Sequence, residues 1–471
     1  MSVVGAIMVP HPPMILPGVG RGSEKTIQPT IDAYKKAASA VVSLRPETIV
    51  ISSPHTIMYA DYFHVSPGSH SSGSFAGFGA PEIRVEANYD KEFVSLFSEK
   101  AYEEGIPAGT SGARKPELDH ATMIPLIFIN EAYEEAGLTP DYKVVRIGLS
   151  GLPFRDHYRV GQLLKDTADT LGRKIVHVAS GDLSHKLKED GPYGLSKEGP
   201  EYDERIMDVM GSGNFEELLN FSERFCDKAA ECGHRSFIMM AGALDRTAVK
   251  TERLCHESVT GVGYGVCIYT TEGPDENRAF LDHFDAKKEA ERKADLEKED
   301  AFIKLARASV EHYVKTGSVL NMPDGLPGEL TSVRAGSFVS LHKYGQLRGC
   351  IGTTGPTEDS LAMEIIRNAV SAASCDPRFS PVRESELEAL EYSVDVLNPT
   401  EPIASEAELD PSRYGVIVRK GRKRGLLLPD LEGVDTVEEQ ISIAKRKAGI
   451  GEDEDVELER FTVTRHSVHP E

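Results

Sequence analysis

Three times in the first half of this chain, a short apolar segment stops and a histidine follows within a few residues. Val3–Val9 runs into His11-Pro12-Pro13. Residues 48–52 run into Ser53-Pro54-His55. Residues 174–179 run into Ser180-Gly181-Asp182-Leu183-Ser184-His185. Short apolar runs bounded by proline or glycine read as strands buried in a sheet. The prolines end the ladder because they donate no N–H. Residues 143–149 read as a further strand, and residues 26–44 have helical periodicity with Ser23 as cap. Alternating strands and helices predict an α/β sheet. In open sheets of this class ligands sit just beyond strand ends, so the histidines are expected to share one site.

Composition narrows the partners. The chain has 471 residues, with 53 basic against 75 acidic, a net charge of −22. That sign repels nucleic-acid backbones and anionic membrane surfaces. No apolar run approaches the roughly 18 residues of a membrane span. The N-terminus lacks the positive flank of a signal peptide, so a cytoplasmic location is expected. Six cysteines without a C-x-x-C pair point to reduced thiols rather than a disulfide scaffold or zinc ribbon.

The first domain is expected over residues 1–274. Helices are expected at 215–225 and 236–244, and a closing glycine-rich strand at 261–270. The Gly-x-Gly-x-Gly in that strand precedes no helix, so it does not read as a phosphate loop. Residues 275–299 are dense in charge and read as a linker running into a solvated helix. A second domain, 300–471, is expected to mix helices (302–314, 360–373, 436–448) with strands (337–341, 392–397, 415–419, 425–428).

The candidate site residues are His11, His55, His120, His185 and Glu231. Imidazole and carboxylate together suit a first-row divalent metal, and two His with one carboxylate leave positions open for substrate. Further histidines near such a metal can move protons near neutral pH. His64, His70, His157, His177 and His234 read as structural. A serine-hydrolase reading of Ser184-His185 fails because there is no Gly-x-Ser-x-Gly elbow.

Residues 1–270 resemble the class III extradiol dioxygenase superfamily, the LigB-like fold that includes Memo proteins. The matching pieces are Val-Pro-His-Pro-Pro, Ser-Pro-His, Asp-His-x-x-x-Ile-Pro-Leu and Ser-Gly-Asp-Leu-Ser-His. The resemblance implies a LigB/Memo-like mixed-sheet α/β domain. It implies metal ligands His11, His55 and Glu231, and acid/base histidines His120 and His185. Memo-like members carry Cys-Gly in the last region, which makes Cys232 the alternative third ligand. The implied cofactor is Fe(II), with Zn, Mn or Cu as other divalent choices. The implied reaction is extradiol ring cleavage of a catechol or aminophenol-like molecule, with His185 taking the substrate proton and His120 donating one later. Two other readings stand beside it: an O2-independent metal-dependent conversion, and metal binding without turnover.

In the second half, Leu347-Arg348-Gly349-Cys350-Ile351-Gly352 places a thiol beside a cation. It reads as a reactive thiol or, more simply, as a small buried residue at a tight turn. Asp376-Pro377-Arg378-Phe379 is expected to pack or pair against it. These motifs, with Asn368-Ala369-Val370 and Gly425–Pro429, resemble the AMMECR-type domain, implying a smaller α+β fold. Proteins joining these two domains are associated with radical-SAM proteins, so a partner of that kind is expected. A small aromatic substrate and a homo-oligomer complete the expected partners.

Overall fold

Short apolar strands must be covered on both faces, and the computed structural model shows how. It describes residues 2–113, 117–343, 346–431 and 433–469. Two units emerge, Met1–Lys288 and Glu289–Glu471.

The first unit is built on a six-stranded sheet. Its strands are β1 (Val3–Val9), β2 (Thr48–Ser53), β3 (Lys143–Gly148), β4 (Ile175–Ser180), β5 (Thr247–Glu257) and β6 (Tyr264–Pro274). Their order is β3-β2-β4-β1-β6-β5. The first four run parallel; β6 and β5 are antiparallel. The sheet is therefore mixed. Strands β2, β4 and β1 are neighbours pointing the same way, so their C-terminal ends open on one edge. Residues 11, 55 and 180–185 all leave from that edge.

Successive residues of β1 feed opposite cores. Ala6 and Met8 join one, Ile7 and Val9 the other. In β2, Val50 faces the first core and Ile49 and Ile51 the second. Helices α1 (Gln28–Leu44) and α2 (His120–Glu135) cover the second face, while α3 (Phe154–Leu171) and α4 (His234–Ala243) cover the first.

Two expected boundaries change. Residues 215–225 are not one helix: a 3-10 turn, Phe215–Asn220, gives way to extended Phe221, and Ser222 caps a new helix, Glu223–Ala229. The free energy of a satisfied cap outweighs helix continuity there. The charged stretch, expected as a linker running into a solvated helix, does form helix α5 (Phe280–Lys298), but that helix starts buried rather than solvated, with Phe280 and Leu281 in the first core. The division between the two units falls inside this helix.

The second unit contains α6 (Ala301–Thr316), α7 (Leu361–Ser374) and α8 (Val437–Ala448), with two four-stranded antiparallel sheets. One consists of β7 (Ser337–Lys343), β8 (Gln346–Gly352), β9 (Leu390–Leu397) and β14 (Val463–Ser467), in the order β8-β7-β9-β14. The other consists of β10 (Glu401–Ile403), β11 (Gly415–Lys420), β12 (Lys423–Leu427) and β13 (Glu457–Phe461), in the order β10-β13-β11-β12. Cys350 lies in β8 rather than at a turn. Gly349 is needed because a Cβ there would lie 2.3 Å from the Ala372 carbonyl oxygen of α7. Burial pushes the Cys350 thiol up, and Ser340 Oγ donates to its sulfur at 3.2 Å. The Asp376–Arg378 segment does pair with β8: Cys350 N donates to Asp376 Oδ2 at 2.9 Å, and Arg378 Nη2 to Cys350 O at 3.3 Å.

Two buried histidines of the first unit hold a polar interior together. His157 Nδ1 donates to Pro153 O at 3.1 Å, while its Nε2 accepts from Ser150 N at 3.3 Å. His177 Nε2 meets Ser52 Oγ at 3.0 Å. Burial holds both at about 3. The unfolded chain protonates them below about 6.5. Their contribution is therefore full above pH 6.5 and is lost as pH falls toward 3. The unfolding free energy in urea is expected to drop with a slope approaching roughly 1.4 kcal/mol per pH unit per histidine in acid. His177→Gln is expected to remove one histidine's share of that slope.

Candidate metal centre

Helix α2 starts where it does because Asp119 caps it. Asp119 Oδ1 accepts from Thr122 N at 3.0 Å and from Ser53 Oγ at 2.7 Å; Oδ2 accepts from Thr122 Oγ1 at 2.9 Å. The Arg146 guanidinium, itself buried, lies 3.6 Å away. Burial works to raise this carboxyl. Ser53, Arg146 and Thr122 outweigh it and hold the group below its ordinary value. The same Ser53 Oγ accepts from His55 N at 3.2 Å. One carboxylate thus ties the end of β2, and with it His55, to the helix whose first residue is His120.

Pro125 lies inside α2. It has no N–H to give the carbonyl four residues back, at Ala121. Ser180 Oγ at the end of β4 donates to that carbonyl at 2.7 Å. With its proton committed there, Ser180 can only accept from His11 Nδ1, 3.0 Å away. The network thereby assigns the proton of His11 to Nδ1 and leaves the Nε2 lone pair facing the site. Burial, reinforced by His55, holds His11 well below its ordinary value, so it is neutral near pH 7.

Three of the four expected histidines, His11, His55 and His120, converge, and His185 lies beside Asp182 and Cys232. The ring of His55 lies 4.9 Å from that of His11 and 4.4 Å from that of His120; His11 and His120 are 5.4 Å apart. Phe78 packs edge-on against His120 at 5.2 Å, and Tyr193 stacks on His185 at 5.1 Å.

Glu231, expected as the third ligand, does not join them. Its carboxylate accepts from His234 N at 2.6 Å. Burial pushes it up to about 7 despite backbone N–H groups and Arg235. The donor that the structure groups with His11 and His55 is Cys232 Sγ. His11 Nε2 is 3.1 Å from His55 Nε2 and 3.6 Å from Cys232 Sγ. All three donor atoms lie within 4.8 Å of one another. Two nitrogens and a sulfur bound to one tetrahedral zinc-sized ion sit about 3.3 Å (N–N) and about 3.6 Å (N–S) apart, given bonds of about 2.05 and 2.3 Å. The donor spacing therefore fits a divalent cation. Identity among such cations is a matter of donor softness.

What turns Cys232 inward is a contact between two glycines. A Cβ on Gly181 would lie 2.2 Å from Gly233 Cα. Only glycine at both positions lets the 180–185 loop and the 231–233 loop touch. That contact lets Asp182 N donate to Cys232 Sγ at 3.3 Å. Asp182 in turn accepts from His11 N at 2.8 Å. Burial pushes its carboxyl up to about 6, against the pull of His11 N–H, His185 and His55. Sequence reading passed over Ser53, Asp119, Ser180 and Asp182. An Asp directly before an apolar run is a cap signal that could have found Asp119.

The chain thus presents a mixed α/β domain with His/Cys/Asp groups able to hold a metal at the C-terminal edge of its parallel strands. Residues 5–267 match the family described as the catalytic LigB subunit of aromatic ring-opening dioxygenase, and residues 303–466 match AMMECR1. The chain belongs to the LigB family and joins such a domain to a C-terminal AMMECR1 domain. A protein of Clostridium acetobutylicum is 41% identical over 99% of both chains. A protein of Thermotoga maritima is 56% identical over 36% of this chain and 98% of its own. A crystal structure of an uncharacterized protein from Pyrococcus horikoshii aligns with 36% identity and a TM-score of 0.33, covering 35% of this chain and 88% of that one. Among the described residues no helix is long and apolar enough to cross a membrane.

Two variants separate the third-ligand alternatives. Cys232→Ala is expected to lose bound metal in elemental analysis, whereas Glu231→Gln keeps it. Ser180→Ala leaves the Ala121 carbonyl and His11 Nδ1–H without their partner. It is expected to cost about 1–3 kcal/mol in urea unfolding.

Proposed function

We propose that the N-terminal domain is a metal-dependent enzyme acting on a small aromatic or heterocyclic compound with adjacent hydroxyl or amino groups. His11, His55 and Cys232 would hold the cation. The observation that carries this is the spacing of their donor atoms, which suits one shared ion. When bound, a cation of this kind polarises substrate heteroatoms and eases their deprotonation.

The remaining work falls to the protein. His120 lies against the His11–His55 pair and is steadied by Phe78, so it can hold or return a proton at a substrate oxygen. His185, stacked on Tyr193 and electrostatically coupled to Asp182, is a second basic nitrogen at the edge of the site. Ser180 and Ala121 keep His11 in one tautomer throughout. Holding a cation on His11, His55 and Cys232 does not require His120.

Two reactions suit the arrangement. Family membership supports extradiol ring cleavage with Fe(II) and O2. The thiol supports an O2-independent conversion, and we take this as the better reading. A thiolate beside two imidazoles favours zinc or copper over the harder ions, and a thiol exposed to reactive oxygen at a metal is readily oxidised.

The test is metal analysis of anaerobically purified full-length protein, followed by turnover of catechol and 2-aminophenol panels with and without O2. Conversion that needs metal and proceeds equally without O2 is expected. His120→Ala should then lower kcat by about 10²–10⁴-fold while leaving metal content unchanged. Iron with strictly O2-dependent ring opening would overturn the O2-independent reading in favour of extradiol cleavage. Bound metal with no turnover across the panel would overturn the enzyme assignment.

A further inference from the structure

A second set of donors adjoins the first and shares one atom with it. Asp182, His185 and Cys232 each offer a ligand atom, and these three also lie within 4.8 Å of one another. We propose that this set is a second cation site, so that Cys232 Sγ bridges two ions, one on His11 and His55, the other on Asp182 and His185. The inference rests on the metal-dependent reading above and deepens it.

Three observations support the second site. The first is charge. Asp182 is only 8% exposed. Its Oδ2 lies 4.0 Å from His11 Nε2. A buried carboxylate is normally paired with a cation or coordinated to a metal. Asp119, by contrast, has Arg146 beside it.

The second is the chemistry of the shared atom. A thiolate carries several lone pairs and can donate to two borderline or soft ions at once, which a neutral imidazole nitrogen cannot. Two ions in such centres lie about 3.5–4 Å apart.

The third is preorganisation. The N–H of Asp182 donates to Cys232 Sγ at 3.3 Å, and the N–H of His11 donates to Asp182 Oδ1 at 2.8 Å. Backbone of each set therefore orients a donor of the other. The ring of His185 is held flat against Tyr193 at 5.1 Å, with 23° between planes. In this arrangement His185 acts as a ligand, and proton movement at the substrate rests with His120.

Metal stoichiometry tests the proposal. Full-length protein is stripped with chelator, titrated with Zn(II) or Co(II), desalted and analysed for metal. Wild type is expected to bind two equivalents. Asp182→Asn keeps an oxygen for His11 N, and His185→Gln changes a half-buried ring; each is expected to bind one, with thiolate-to-Co(II) absorption retained. The electron paramagnetic resonance signal of the first Co(II) should weaken as the second equivalent fills in wild type and not in either variant. One equivalent in wild type, unchanged by either substitution, overturns the second site and leaves the His11–His55–Cys232 reading standing. No bound metal in any form of the protein overturns both.

Discussion

Asp119 is the point on which the site depends. A buried carboxylate is costly unless every lone pair is used, and here Ser53, Thr122 and Arg146 use them. In satisfying itself, Asp119 joins the end of β2 to the start of α2 and thereby sets His55 and His120 side by side. Pro125 extends the same logic one turn further. The carbonyl it strands is taken by Ser180, and Ser180 sets the tautomer of His11. Three histidines from three separate chain segments are positioned by one helix N-terminus.

The electrostatics of the interior run against those of the surface. A net charge of −22 describes a molecule that repels anions at long range. Around the histidines, burial reverses the tendency toward ionisation. It drives Asp182 and Cys232 toward their neutral forms and His11 and His185 toward theirs. A pocket of neutral imidazoles, a carboxyl and a thiol is short of positive charge only when its acids ionise. A divalent cation supplies that charge while releasing their protons.

Much of this was legible in the chain itself. The strands ending at His11, His55 and Ser180 were readable from apolar runs and prolines. Short sequence windows carry burial information when both sheet faces are covered. The core of the AMMECR1 domain was equally readable. Its glycines were misread: Gly349 admits a helix, and nothing in the local sequence distinguishes that from a turn. The helix expected across residues 215–225 failed for a similar reason, since an apolar pattern does not reveal that Ser222 is better satisfied as a cap.

The sequence by itself determined the fold class and the two families, and it picked out His11, His55 and His120, which the structure brings together. Those depend on local patterning and on motifs contiguous in the chain. It did not decide between Glu231 and Cys232, neighbours on one loop. Tertiary structure brings Cys232, and not Glu231, to His11 and His55. Gly181 and Gly233 touch across a gap of some fifty residues in sequence, which brings Cys232 Sγ against Asp182 and leaves Glu231 to cap His234. Strand order was decided at the same level. Hydrogen bonding of β4 between β2 and β1 is a long-range pairing, and it alone brings the three strand ends to one edge.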